Sequence, residues 1–135
     1  MAEVRLDDKR LKGAYAWQAF IKQGSHLAAG SDFPVELANI FHGLYSAMGR
    51  MDHQQQPKDG WRSEQALTRK QAFKAFTLDA AYSAHQEFKI GSLEQGKWAD
   101  FILVDKDIFE SDISEVYQTQ VLQTWIAGEK KYQKN

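Results

Sequence analysis

The sequence predicts an α/β fold over its first two thirds and a β-rich end. A short apolar run, His26–Ala29, is long enough for one buried strand and is followed at once by Gly-Ser-Asp-Phe-Pro. Helical spacing of apolar residues before and after this run gives the alternation of helix and strand that is typical of a parallel sheet. From Gly91 onward, short apolar runs separated by turn residues replace that spacing. We therefore predict two parts, residues 1–90 and residues 91–135.

The strand and its two flanking helices form the centre of the first part. Apolar positions from Leu11 to Lys22 partly follow helical spacing, and a glycine follows that segment as a stop signal. Pro34 cannot donate a hydrogen bond to a sheet, so we expect the strand to end before it. Apolar residues then recur at helical spacing again and predict a helix from Leu37 to Arg50.

A polar segment and two further helices complete the first part. Residues 51–63 are polar and broken by proline and glycine, so they predict a long exposed loop. Thr68 with Gln71 matches a capping box and predicts a helix through Phe76. Thr77 is placed to cap a second, alanine-rich helix that ends at Gln86.

The second part predicts three strands and one short helical turn. Phe101–Val104 is an apolar strand, and Asp112 with Glu115 forms a second possible capping box. Val121–Ala127 is the next strand, followed by a two-residue turn at Gly128-Glu129 and a return strand from Lys130 to Tyr132.

Composition bounds the function. The chain has 135 residues, a formal charge of -1 and no cysteine, which excludes a disulfide framework and a thiolate nucleophile. The mixed charges give no reason to expect a nucleic-acid partner, and no apolar run is long enough to span a membrane. The charged first ten residues do not resemble a secretory signal. We expect a cytoplasmic protein.

Five motifs follow one another along the chain. They are Gly-Ser-Asp-Phe-Pro-Val-Glu (30–36), Gly-Trp (60–61), Leu-Thr-Arg-Lys-Gln-Ala (67–72), Phe-Thr-Leu-Asp-Ala-Ala-Tyr (76–82) and Gly-Ser-Leu-Glu-Gln-Gly-Lys-Trp-Ala-Asp-Phe (91–101). In this order they resemble the C-terminal third of a metal-dependent amidohydrolase, in the branch that includes N-substituted formamide deformylases. The resemblance covers nearly the whole chain, from about Leu11 to Tyr132.

The resemblance implies a fragment of a (β/α)8 TIM barrel followed by strands of a composite β-sandwich. His26–Ala29 would be the eighth barrel strand, with Asp32 at its tip, and the chain from Gly91 would belong to the sandwich. A TIM barrel needs about 250 residues, so most of the barrel is not in this sequence. The family binds metal through a His-x-His pair, whereas the four histidines here, His26, His42, His53 and His85, include no such pair.

The resemblance assigns one residue a chemical role. In the family a metal ion, usually zinc, activates water, and the carboxylate after strand eight moves that water's proton to the leaving nitrogen. Asp32 is the candidate for this catalytic carboxylate and for a weak metal ligand, the remaining ligands being absent from this chain. The alternative is that Asp32 caps the next helix or stabilises a turn. Glu36 and Trp61 are weak candidates for substrate contacts, and a solvated loop face or ordinary packing explains them equally well.

The predicted function is the C-terminal part of a metal-dependent hydrolase of carbon–nitrogen bonds, of amide or N-acyl type, that acts on a small molecule. We expect the isolated chain to be inactive and to hold no tightly bound metal, with a divalent ion, zinc by the resemblance, in the full-length protein. We also expect self-association through exposed apolar surface. The competing interpretation is a non-catalytic, self-associating binding module.

Overall fold

Short helices come first in the chain and a small sheet comes last. The computed structural model describes residues 2–135. The α-helices are α1 Asp8–Leu11, α2 Trp17–Lys22, α3 Ile40–Gly49, α4 Arg69–Phe76, α5 Leu78–Ser83 and α6 Ile113–Val116; the strands are β1 Phe101–Val104, β2 Val121–Ile126 and β3 Glu129–Gln133; 3-10 turns lie at Ala2–Val4 and Ser63–Gln65. The predicted change from helices to mainly strands near Gly91 is thus present in the structure. The division into two domains stays a prediction.

The core forms where α3 meets α4 and α6. On α3 it contains Phe41, Leu44 and Ala47, which follow helical spacing. Ala72 of α4, Val116 of α6 and Leu67, which precedes α4, complete it. Each helix of this core begins at a side-chain cap. Asn39 Oδ1 accepts a hydrogen bond from the Phe41 amide at 3.0 Å, and the predicted capping boxes at Thr68 and Asp112 are both formed.

The predicted strand at His26–Ala29 is not formed, and the prediction was wrong. The segment belongs to no sheet, and the hydrogen bond that its last amide makes goes to a helix, from Ala29 N to Ala75 O at 3.0 Å. An apolar run becomes a strand only beside another strand that satisfies its backbone. None of the three strands in residues 2–135 pairs with it.

Three helix predictions were also too long. The helix predicted from about Leu37 to Arg50 begins only at Ile40, after its cap Asn39, and ends at Gly49. The segment Leu11–Lys22 is interrupted because Tyr15 adopts a left-handed backbone with φ 51°, so α1 and α2 are separate helices. The alanine-rich helix predicted after Thr77 is α5, which ends at Ser83 rather than at Gln86. Thr77 does not cap it with its side chain, because its hydroxyl donates to Phe73 O instead, at 2.7 Å.

The sheet is antiparallel in the order β1-β2-β3. The hairpin between β2 and β3 is confirmed, but its turn lies one residue earlier than predicted, at Ala127 and Gly128. Both residues have positive φ, 51° and 78°, which fits the turn type that best matches the twist of paired strands. Strand β1 is an edge strand with apolar residues, and β3 forms the opposite edge with a charged sequence.

The polar loop after α3 is closed at its base. The Trp61 amide donates to Arg50 O at 2.8 Å, so the residues between them form an excursion from the helical core. Gly60 sits at that closure with φ +75°, and a Cβ added there would lie 2.4 Å from Gly49 O.

A membrane crossing would require a longer and more apolar helix than any in residues 2–135.

Candidate functional site

Asp32 is the first residue of an exposed turn. Its backbone is left-handed, with φ 56°, and its carbonyl oxygen accepts the amide of Val35 at 2.9 Å and that of Glu36 at 3.4 Å. Ser31 Oγ accepts the Phe33 amide at 3.4 Å, as expected for a supporting loop hydroxyl. The turn is therefore built by backbone groups and Ser31, which leaves the Asp32 side chain free for another role.

The Asp32 carboxylate is exposed and accepts no hydrogen bond from any residue in the range 2–135. The alternative in which Asp32 caps the next helix is wrong, because α3 starts eight residues later and Asn39 caps it. The structure thus removes the capping role without testing the catalytic one. The catalytic role of Asp32 stays a prediction.

The turn is surrounded by exposed apolar side chains. Phe33, Val35 and Leu37 are 67%, 78% and 67% exposed, and we call these three residues the loop patch. Glu36 is exposed between two of them. Side chains of this kind are normally covered in a folded protein when several lie together.

Trp61 packs against an arginine rather than against the Asp32 turn. The guanidinium of Arg50 lies 4.4 Å from the ring centroid of Trp17 and 5.0 Å from that of Trp61, and Arg50 Nε donates to Trp61 O at 3.0 Å. Burial lowers the pKa of Arg50 from its ordinary value, while the nearby Glu64 carboxylate opposes this shift. These contacts explain the position of Trp61 by packing, and its role toward a substrate stays a prediction.

Trp61 also lines a surface groove of about 410 Å³. It is lined by Glu3, Asp8, Leu11, Lys12, Trp61, Arg62 and Glu64. No residue of the Asp32 turn lines it. The groove therefore does not join the two candidate regions named by the sequence.

A buried carboxylate that the sequence did not single out contacts His26, in the segment that leads into the Asp32 turn. Asp79 is 6% exposed, and its Oδ1 lies 2.7 Å from His26 Nδ1 and 2.7 Å from Lys74 Nζ. The His26 ring also stacks on Tyr82, with centroids 4.0 Å apart. We call His26, Lys74, Asp79 and Tyr82 the Asp79 cluster. It was missed because His26 and Asp79 are 53 residues apart, and no local pattern links them.

Opposing effects act on the Asp79 carboxyl. Burial by itself would raise its pKa, since a charged group loses hydration. The hydrogen bonds from Lys74 and His26 favour the charged form more strongly, and the pKa of Asp79 is lowered overall. The cluster therefore holds an ionised carboxylate between two donors.

The described residues do not form a metal site. Among residues 2–135, no three histidine, aspartate or glutamate side chains converge. His42 stacks on Tyr117 with centroids 4.1 Å apart, while His53 and His85 are exposed. Asp32 by itself offers one weak oxygen ligand. The residues present thus do not fit a bound metal ion, which needs several ligands.

Comparisons with known proteins identify the family to which this chain is similar. A family model described as "Amidohydrolase family" matches residues 1–132. The putative amidohydrolase YtcJ of Bacillus subtilis is 30% identical over 97% of this chain and 25% of its own length. The N-substituted formamide deformylase of Arthrobacter pascens is 23% identical over 87% of this chain and 21% of its own length.

A solved structure shows the same fold. The crystal structure of an amidohydrolase from Thermotoga maritima superposes with a TM-score of 0.65 at 19% identity, and the match covers 89% of this chain and 26% of that one. This chain spans about a quarter of the length of YtcJ. The predicted resemblance is confirmed: the chain belongs to the amidohydrolase family.

Proposed function

We propose that this chain is the part of a carbon–nitrogen hydrolase that carries its proton-transfer carboxylate, Asp32. Membership of the amidohydrolase family supports hydrolysis of C–N bonds in the longer protein. The observation that carries the assignment is the Asp32 carboxylate itself. It is exposed on a turn built by other groups, and no residue in the range 2–135 donates a hydrogen bond to it.

The chemistry proposed for Asp32 is a two-step proton transfer. As a water oxygen attacks the carbonyl carbon of an amide or N-acyl substrate, Asp32 accepts the water proton. It then donates that proton to the leaving nitrogen as the C–N bond breaks, giving a carboxylic acid and an amine. One carboxylate can act first as base and then as acid in this sequence.

Several further parts of the proposal concern a longer protein. His26–Ala29 would pair there as the last strand of a TIM barrel, once neighbouring strands are supplied. A divalent ion, zinc by resemblance, would take its ligands mainly from outside residues 2–135, with Asp32 at most a weak ligand. Glu36 and Trp61 stay weak candidates for contacts with a small-molecule substrate, and a cytoplasmic location stays part of the proposal.

The test uses a longer active protein that contains this sequence and a panel of N-substituted formamides and N-acyl amines. Asp32→Asn should lower kcat by about 10²–10⁴-fold, the range for a lost general acid–base group, and leave the metal content nearly intact. Asp59→Asn, at another exposed loop carboxylate, is the matched control and should leave kcat unchanged. Turnover by Asp32→Asn within a few fold of the parent would sink the assignment.

The second candidate is a non-catalytic module that self-associates, and the loop patch favours it. Such a module would have an exposed apolar surface for self-association, formed by Phe33, Val35 and Leu37. In that case the isolated chain should form a defined dimer by analytical ultracentrifugation, and Val35→Lys should convert it to a monomer. A longer protein in which Asp32→Asn removes turnover would decide for the hydrolase.

A further inference from the structure

Within residues 2–135, few contacts hold the segment that leads into the Asp32 turn. His26–Ala29 pairs with no strand in residues 2–135. Its supports are the hydrogen bond from Ala29 N to Ala75 O at 3.0 Å, the packing of Leu27 against the core, and the side chain of His26. Backbone without a sheet ladder opens easily unless other contacts hold it.

His26 is held by a buried carboxylate that also ties two helices together. Asp79 lies in the first turn of α5, and its Oδ1 is 2.7 Å from His26 Nδ1 and 2.7 Å from Lys74 Nζ, which comes from α4. The His26 ring has a second support in Tyr82, one turn further along α5. Three separate stretches of the chain therefore meet at one carboxylate.

We propose that Asp79 is a positioning residue, which fixes the approach to the Asp32 turn by holding His26. The proposal deepens the function proposed above, since it gives the Asp79 cluster a consequence for Asp32. Asp32 follows His26 by six residues in the sequence, so we expect movement at His26 to shift the carboxylate. A displacement of about 1 Å at a reacting group can cost about 100-fold in rate.

A structural role for Asp79 in general stability predicts something different. If Asp79 only stabilises the whole fold, its loss should accelerate amide exchange everywhere that exchange proceeds through global unfolding. If Asp79 positions the approach to Asp32, exchange should accelerate at Ala29 and not in the core. Ala72 is the core reporter, because its amide donates to Thr68 O at 2.9 Å and the residue is fully buried.

The experiment is hydrogen–deuterium exchange followed by NMR on residues 1–135, comparing Asp79→Asn and His26→Phe with the parent chain. His26→Phe keeps a ring to stack on Tyr82 and removes the hydrogen bond to Asp79. We expect exchange at Ala29 to accelerate about tenfold or more in both variants, because a charge-assisted hydrogen bond is lost. Exchange at Ala72 should change by less than about twofold.

The matched control is Asp105→Asn. Asp105 Oδ1 accepts the Gln120 amide at 2.9 Å in the β-rich part, so its loss should leave exchange at Ala29 unchanged. If Asp79→Asn fails to fold, His26→Phe decides. Equal acceleration at Ala29 and Ala72, or none at Ala29, overturns the proposal.

The outcome is separable from that of the proposed function. Amide exchange at Ala29 measures how stably the segment His26–Ala29 is bound to the rest of the fold, whether or not Asp32 is catalytic. Turnover by Asp32→Asn measures the catalytic role of Asp32 alone. In a longer active protein, where neighbouring strands would add their own support to His26–Ala29, His26→Phe should still lower kcat more than it changes KM, because the substrate contacts are intact and the carboxylate is shifted. Unchanged kcat together with faster exchange at Ala29 would remove the consequence for catalysis and overturn the positioning role.

Discussion

Replacing Arg50 by methionine should destabilise the fold by about 2 kcal/mol. The Nε hydrogen bond to Trp61 O, at 3.0 Å, is worth about 1.5–3 kcal/mol for a charged donor. Stacking on Trp17 at 4.4 Å and on Trp61 at 5.0 Å adds about 1–2 kcal/mol for a desolvated guanidinium. Arg50 Nη2 is buried without a partner among residues 2–135, which offsets about 1–3 kcal/mol of that gain.

The assay is urea unfolding followed by circular dichroism, with the slope of the transition compared between variants. A double-mutant cycle with Trp17→Leu isolates the stacking from the hydrogen bond. We expect a coupling energy of about 1 kcal/mol between Arg50 and Trp17. Arg5→Met, at an exposed arginine, is the control and should change stability by less than about 0.5 kcal/mol. Strictly additive effects of Arg50→Met and Trp17→Leu would refute the reasoning.

Two further predictions concern the loop closure and acid stability. Gly60→Ala should cost more than about 1 kcal/mol, because its Cβ would lie 2.4 Å from Gly49 O; Gly96→Ala, also at positive φ but with open space around it, should cost less in the same urea assay, and equal costs would contradict the clash. Because the folded-state pKa of Asp79 is lowered, its contribution is present above the ordinary carboxyl pKa of about 3.9 and is lost as pH falls through the folded value. The stability gap between the parent and Asp79→Asn should therefore shrink as the pH falls below about 4; a gap that stays the same there would contradict this.

Features set by neighbouring residues were predictable from the sequence. The capping boxes at Thr68 and Asp112 depend on side chains three positions apart, and both formed as predicted. Strand β1 was predicted with its observed bounds, because an apolar run between two aspartates has clear ends. The hairpin was predicted one residue out of place, since the turn uses Ala127 at positive φ, a conformation that alanine seldom adopts.

Features that depend on distant neighbours were not predictable. His26–Ala29 has the composition of a strand, yet pairing needs a second strand, and none of the three strands in residues 2–135 pairs with it. The Asp79 cluster joins residues 53 positions apart, and the pattern around Asp79 resembles an ordinary helix start. The position of Trp61 was set by Arg50, whose burial between two indole rings leaves no mark in the local sequence.

The two edge strands of the sheet differ in chemical character, apolar in β1 and charged in β3. They therefore differ in how readily each would pair with a further strand. The outer edge of β1 carries Phe-Ile-Leu-Val, and no strand in residues 2–135 covers it. The outer edge of β3 carries Glu129, Lys130 and Lys131, charges that discourage the addition of another strand. A further strand, whether from the same polypeptide or from another molecule, should therefore pair more readily with β1 than with β3.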